Sequence, residues 1–91
     1  MRIEWDEKKS ALNKAKRGIG FGEAEPVFLD PYALSRYDVE HSIMEEQRYI
    51  RIGWIPAGIV VVVYTDRPED IRRIISVRKA TRKEREAYYE Q

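Results

Sequence analysis

The chain has no cysteine, and histidine occurs once, at position 41. The first absence excludes disulfides, thiolate nucleophiles and cysteine-ligated zinc, and the second excludes a multi-histidine metal site. Neither a metal nor a cofactor is expected for this chain. A chain without cysteine also suits a reducing compartment, so a cytoplasmic location is expected. Long apolar runs are missing too. The most apolar stretch, Gly58-Ile59-Val60-Val61-Val62-Val63-Tyr64-Thr65, falls well short of the roughly 20 residues a membrane-spanning helix needs. The N-terminus, Met1-Arg2-Ile3-Glu4-Trp5-Asp6, lacks the apolar segment of a secretory signal. There is no phosphate-cradling glycine loop, no Ser/His/Asp spacing suited to nucleophilic catalysis, no internal repeat and no low-complexity tract.

What is present begins with that apolar stretch. It is apolar on both parities and rich in β-branched residues, so as a strand it has no face to offer water and belongs at the centre of a sheet. With 91 residues, 43% hydrophobic and 36% charged, the chain can form one core under a heavily charged exterior, and a single domain over residues 1–91 is expected. The formal net charge of +1 hides a strong partition. Residues 1–17 carry six Lys/Arg against three Asp/Glu, residues 22–46 one against seven, and residues 71–85 seven against one. Such a partition predicts a basic surface for a polyanion, unless the blocks neutralise one another in the fold.

In chain order, Arg2 to Trp5 alternates as a short first strand. Asp6 is placed as the N-cap of a helix over about Glu7–Arg17 that ends at Gly18, with Ala11, Leu12 and Ala15 as its apolar stripe. Phe21, Ala24, Val27 and Phe28 keep helical spacing around Pro26, which predicts one or two turns closed by Asp30-Pro31. Tyr32–Tyr37 reads as a second strand and Asp38–Glu45 as a polar loop. Gln47–Ile55 alternates, with Arg48, Ile50, Ile52 and Trp54 on one face and Tyr49, Arg51, Gly53 and Ile55 on the other. Pro56-Ala57-Gly58 turns it into the central strand as an antiparallel hairpin. Ile71–Val77 is the last strand. Strict alternation there sets Ile71, Arg73, Ile75 and Val77 against Arg72, Ile74, Ser76 and Arg78. Thr81 with Glu84 has the form of a capping box opening a helix over about Arg82–Glu90, with Tyr88 packed inward and Tyr89 at the rim.

The remaining chemical potential of the chain is arginine-based: Arg48, Arg67, Arg72, Arg73 and Arg78 on or beside strands, with His41 and Glu46 near the start of the third. Guanidinium groups bind phosphate in bidentate fashion and stabilise charge that builds on a phosphoryl centre, while a carboxylate or imidazole can accept a proton. This set can bind RNA and cleave it. It is equally the ordinary pattern of strand arginines whose stems cover a core while their heads stay solvated. Likewise His41 reads as a turn residue as readily as a base, and Trp5 and Trp54 as core rather than base platforms.

Several of these residues occur in a familiar order. Trp5-Asp6, Lys9, Asn13, Lys16, Gly18, Phe21, Ala24, Val27, Phe28, Asp30 and Pro31 are followed by Asp38, His41-Ser42, Glu46, Arg48 and Gly53. Arg67, Arg73-Ile74-Ile75-Ser76-Val77-Arg78, Ala80-Thr81 and Glu84-Arg85 complete the series. In this the chain resembles the BrnT family of type II toxins, small proteins similar in fold to the RelE ribonucleases and paired with the antitoxin BrnA. It departs from the family at Arg17, where a histidine is usual, and at Arg72, where an aliphatic residue is more common. The resemblance implies an α+β, RelE-like fold: a twisted, mostly antiparallel sheet with N-terminal helices on one face, a C-terminal helix nearby and the arginines on the other face. It implies a metal-independent RNA endonuclease that inhibits translation, held in a hetero-oligomer by a BrnA-like antitoxin. Glu46 or His41 would take the 2′-hydroxyl proton, and Arg48, Arg73 and Arg78 would stabilise the scissile phosphate, with Arg67, Arg72 and Lys79 as further RNA contacts. The alternative is a non-catalytic module whose basic face only binds RNA or protein.

Overall fold

Gly58–Arg67 forms the central strand of a five-stranded sheet in the computed structural model, which describes residues 1–91. In chain order the strands are β1 (Arg2–Glu4), β2 (Leu34–Tyr37), β3 (Arg48–Ile55), β4 (Gly58–Arg67) and β5 (Ile71–Lys79). Their order across the sheet is β1-β5-β4-β3-β2. All neighbours are antiparallel except β1, which runs parallel to β5. Helix α1 (Glu7–Arg17) follows β1, a 3₁₀ segment spans Phe21–Leu29, and α2 (Arg82–Tyr89) ends the chain. The fold is thus α+β, as expected.

The two faces of β4 do different work. Val60, Val62 and Tyr64 pack with Ile74 and Val77 of β5, Ile55 of β3 and Phe21, Ala24, Val27 and Phe28 of the 3₁₀ segment, which makes the main core. Gly53 lets that segment sit close on β3, because a Cβ there would lie 2.8 Å from Val27 Cγ2 and 3.0 Å from Ala33 Cβ. Arg51 holds the same contact, its Nε and Nη2 donating to the carbonyls of Val27 and Asp30 at 2.8 and 3.1 Å. On the second face Ile59 and Val61 pack with Ala80 and Tyr88, flanked by Ile50 and Ile52. Here α2 covers only one end.

Helix α1 is capped as its sequence predicts: the Asp6 carboxylate accepts from the Lys8 and Lys9 amides, and Gly18 closes the helix at φ +79°. Its docking differs from the expected apolar stripe. Ala11, Leu12 and Ala15 face solvent, with Leu12 69% exposed, and the buried contacts are polar. Ser10 Oγ accepts the Phe21 N–H at 2.8 Å, while Asn13 Nδ2 donates to the carbonyls of Ile19 at 2.7 Å and Val77 at 2.9 Å. These bonds satisfy backbone groups at a chain crossing, where aliphatic side chains would leave them unpaired.

Strand β5 also departs from strict alternation. The register runs Val62↔Val77 and Val63↔Ser76, then Tyr64↔Ile74 and Thr65↔Arg73, which leaves Ile75 as the extra residue of a bulge. A bulge reverses side-chain parity beyond it. Ile74 and Val77 therefore share the core face, and Arg73 and Arg78, which alternation would separate, share the second face.

Candidate active site

Cross-strand register fixes what the open part of the second face displays. Thr65 of β4 lies between Arg48 of β3 and Arg73 of β5, so two guanidinium-bearing residues flank one buried threonine. The next row is Arg36, Ile50, Val63 and Ser76, and the next contains Ile52, Val61 and Arg78. Directly paired residues on one face sit about 5 Å apart at Cβ. The arginines thus frame an aliphatic floor.

Beside that floor, a cavity of about 440 Å³ is lined by Arg36, His41, Ile50, Val61, Val63 and Arg78, with Tyr37–Glu40 completing the wall. The loop carrying His41 is tied to β3. Asp38 N–H donates to the Arg48 carbonyl at 2.8 Å, and Ser42 Oγ accepts the Arg48 N–H at 2.8 Å. His41 Nδ1 lies 3.0 Å from Asp38 Oδ2.

Each arginine named from the sequence on this face, Arg67 excepted, carries one carboxylate partner. Arg48 Nε donates to Glu46 Oε1 at 2.9 Å, and Arg73 Nη1 donates to Glu4 Oε2 at 2.7 Å. Arg78 makes a two-pronged bond to Glu84 at 2.7 and 2.8 Å. That fork, backed by the Thr81 amide and hydroxyl, holds the Glu84 carboxyl down to about 2 against the upward push of burial, and Glu84 raises Arg78 in turn. Arg36 and Arg67 stand outside every ion pair.

The structure sets Arg48, Arg73 and Arg78 on one face with Glu46 bonded to Arg48, places His41 at the cavity that Arg78 also lines, and sets Arg67 at the exposed end of β4 beyond Arg73. It leaves two predicted contacts elsewhere. Arg72 reaches over the Phe28 and Tyr64 rings on the core face, 5.4 and 4.9 Å from their centroids, and pairs with Asp66. Lys79, in register with Val60, lies on the core-face side and is exposed. Arg36 lines the cavity and was missed. The only signal was its parity on β2, which means nothing until the pairing with Ile50 is known. Trp5 packs on the main core, whereas Trp54 is 49% exposed; Tyr88 is buried and Tyr89 lies at the rim, as expected.

A family model described as "Ribonuclease toxin, BrnT, of type II toxin-antitoxin system" matches residues 5–84. The chain belongs to the BrnT family. Among solved structures, the ribonuclease toxin BrnT of Brucella abortus is similar at 26% sequence identity and a TM-score of 0.67, over 90% of this chain and 99% of that one. No curated protein matches. Membership makes the chain a ribonuclease toxin of the type II toxin–antitoxin class, which favours the catalytic alternative over the binding module. No helix is long and apolar enough to cross a membrane.

Proposed function

We propose that residues 1–91 form one cytoplasmic toxin domain that cleaves RNA without metal, inhibits translation by doing so, and is neutralised by a BrnA-like antitoxin. The observation that carries the cleavage is the meeting, at one cavity, of an imidazole backed by a carboxylate with Arg36 and Arg78, next to the Arg48–Thr65–Arg73 row. In this reading His41 takes the 2′-hydroxyl proton. The 2′-oxygen bonds to phosphorus, the P–O5′ bond breaks, and the leaving oxygen takes a proton from water, which yields a 2′,3′-cyclic phosphate and a 5′-hydroxyl. Arg48, Arg73 and Arg78 neutralise the charge that builds on the non-bridging oxygens. Glu46 orients Arg48, leaving its Nη groups for phosphate. Arg67 and Arg36 extend the contact to neighbouring phosphates.

The test is incubation of RNA with purified toxin in excess EDTA. Cleavage with 2′,3′-cyclic ends is expected to continue, and to fall about 100-fold or more in His41→Ala. Loss of cleavage in EDTA with recovery on adding a divalent cation would remove the metal-independent mechanism.

A further inference from the structure

Two aspartates are buried in this protein, and their surroundings differ. Asp30, 8% exposed, accepts the Trp54 amide at 2.8 Å, the Tyr32 amide at 2.9 Å and the Tyr88 hydroxyl at 2.6 Å. Those bonds join the end of the 3₁₀ segment to β3 and α2, and they account for its burial structurally. Asp38, 5% exposed, has no such set. Its carboxylate accepts only the His41 amide, at 3.3 Å, and faces the His41 ring, with Nδ1 3.2 and 3.0 Å from its two oxygens. Removing a carboxylate from water is costly unless polar partners replace the water. The one side chain that does so is an imidazole whose own side chain is 64% exposed.

From this pairing we infer that Asp38 is the positioning residue of the reaction: it fixes the His41 tautomer and aims the ring at the cavity. The inference rests on the reading of His41 as proton acceptor. An ionised carboxylate only accepts hydrogen bonds, so the nitrogen facing it must carry the proton. In the neutral ring Nδ1 is then N–H, and Nε2 keeps its lone pair. No protein group bonds to Nε2, and the ring borders the cavity shared with Arg36 and Arg78. When Nε2 takes the 2′-hydroxyl proton, the resulting imidazolium faces a buried anion that stabilises it without reorganisation.

The backbone supports the same role. Asp38 follows the last residue of β2, and its N–H donates to the Arg48 carbonyl; its own carbonyl accepts the Ser42 N–H at 3.1 Å. Ser42 Oγ in turn donates to the Arg48 carbonyl at 3.2 Å and accepts the Arg48 N–H at 2.8 Å. The carboxylate that aims the imidazole is thus anchored to the residue that presents a phosphate-binding guanidinium, so base and phosphate site share one frame.

Nitrogen-15 NMR of the ring tests this in the unmodified protein, read on the alkaline plateau of the ring shifts, where the ring is neutral and one nitrogen carries the proton. The expected signature is the Nδ1-protonated tautomer; a ring protonated at Nε2 overturns the inference. In Asp38→Asn the side-chain amide can also donate, so the tautomer should become mixed. For that variant kcat should fall about 10- to 100-fold with KM within threefold, and unchanged kcat in a folded Asp38→Asn overturns the inference as well. His41→Ala separates the two levels. If it retains full activity, the base assignment and the inference both fall. If it is inactive while Asp38→Asn is unaffected, only Asp38 loses its role. Should Asp38→Asn not fold, the spectrum of the parent decides alone.

Discussion

Arg72 and Arg73 are neighbours in sequence and strangers in space. Arg73 lies on the second face with Glu4 and in register with Thr65, and Arg72 lies over Phe28 and Tyr64 on the core face. Their alanine variants should therefore fail in different ways. Arg73→Ala is expected to lose about 100-fold or more in RNA cleavage with its thermal midpoint almost unchanged, because in the proposed mechanism it removes a donor to the transition state. Arg72→Ala should keep cleavage within about threefold and lose about 1 kcal/mol of stability, since a cation over two aromatic rings is removed from a rim where it shields the core. Cleavage assays paired with denaturant melts of both variants decide the matter; equal loss of activity in the two would mean that the face assignment does not govern RNA contact.

At the level of elements, α2 is fixed at its two ends by side-chain bonds. At its start the Glu84 carboxylate caps the helix, accepting the Thr81 amide at 2.8 Å while holding the Arg78 fork. At its end the Tyr88 hydroxyl donates to Asp30. Burial raises Asp30, but the Tyr88 hydroxyl, the Trp54 and Tyr32 amides and Arg51 outweigh it and hold the carboxyl below its ordinary value; Tyr88, bonded to that anion and buried, is pushed up to about 12. The signs set two pH windows. Glu84, lowered from 4.5 to about 2, contributes fully above pH 4.5, and its share is lost as pH falls toward 2. Tyr88, raised from 10.0 to about 12, contributes fully below pH 10, and its share is lost as pH climbs toward 12. Glu84→Gln should flatten the acid limb of a stability profile, and Tyr88→Phe the alkaline one. Tyr88→Phe should also cost about 1–3 kcal/mol at neutral pH, because buried Asp30 then lacks its closest donor. A profile of melting midpoint against pH for the parent and both variants checks each limb separately.

The same scale shows what was legible in the sequence. Helix ends were, because Asp6, Gly18 and the Thr81–Glu84 box act within a few residues of themselves. The two faces of β3 were, because alternation holds there without interruption. The face of Arg78 was not. A bulge at Ile75 depends on how β5 meets β4, and no local signal marks it. The docking of α1 was missed for a related reason: Ser10 and Asn13 look like surface residues until the backbone groups they satisfy, on Phe21, Ile19 and Val77, are known to pass beside them. Of the candidate site, the arginines and His41 could be named from the sequence as residue types suited to phosphate and proton chemistry, with their grouping left open. Arg36 and the Asp38–His41 pair could be recognised only once the loop was seen folded back on β3.

For the molecule as a whole, the ion pairs settle how the charge blocks relate. The basic block 71–85 makes its bridges to Asp66, Glu4, Glu84 and Glu86, and none of its residues bridges to the acidic block 22–46. Lys14 of the other basic block does pair with Glu23 of the acidic one, but the surplus of 71–85 survives folding, leaving Lys79, Lys83 and Arg85 outside any bridge and Arg82 87% exposed in its own. An antitoxin can silence a ribonuclease most directly by occupying the surface its substrate needs, and a surplus of one charge sign speeds encounter with a partner of the other. We accordingly predict that the antitoxin's toxin-binding segment is acidic, contacts at least one of Arg78, Lys79, Arg82 and Lys83, and associates more slowly as salt rises. Stopped-flow association at low and high ionic strength, for the parent and for Arg82→Glu with Lys83→Glu, measures both effects. Both side chains are exposed on the outer turn of α2, so the double variant should fold normally while its association rate drops about tenfold or more at low salt. Rates that ignore both salt and charge reversal would place the antitoxin on an apolar surface elsewhere, and neutralisation would then not depend on covering the basic block.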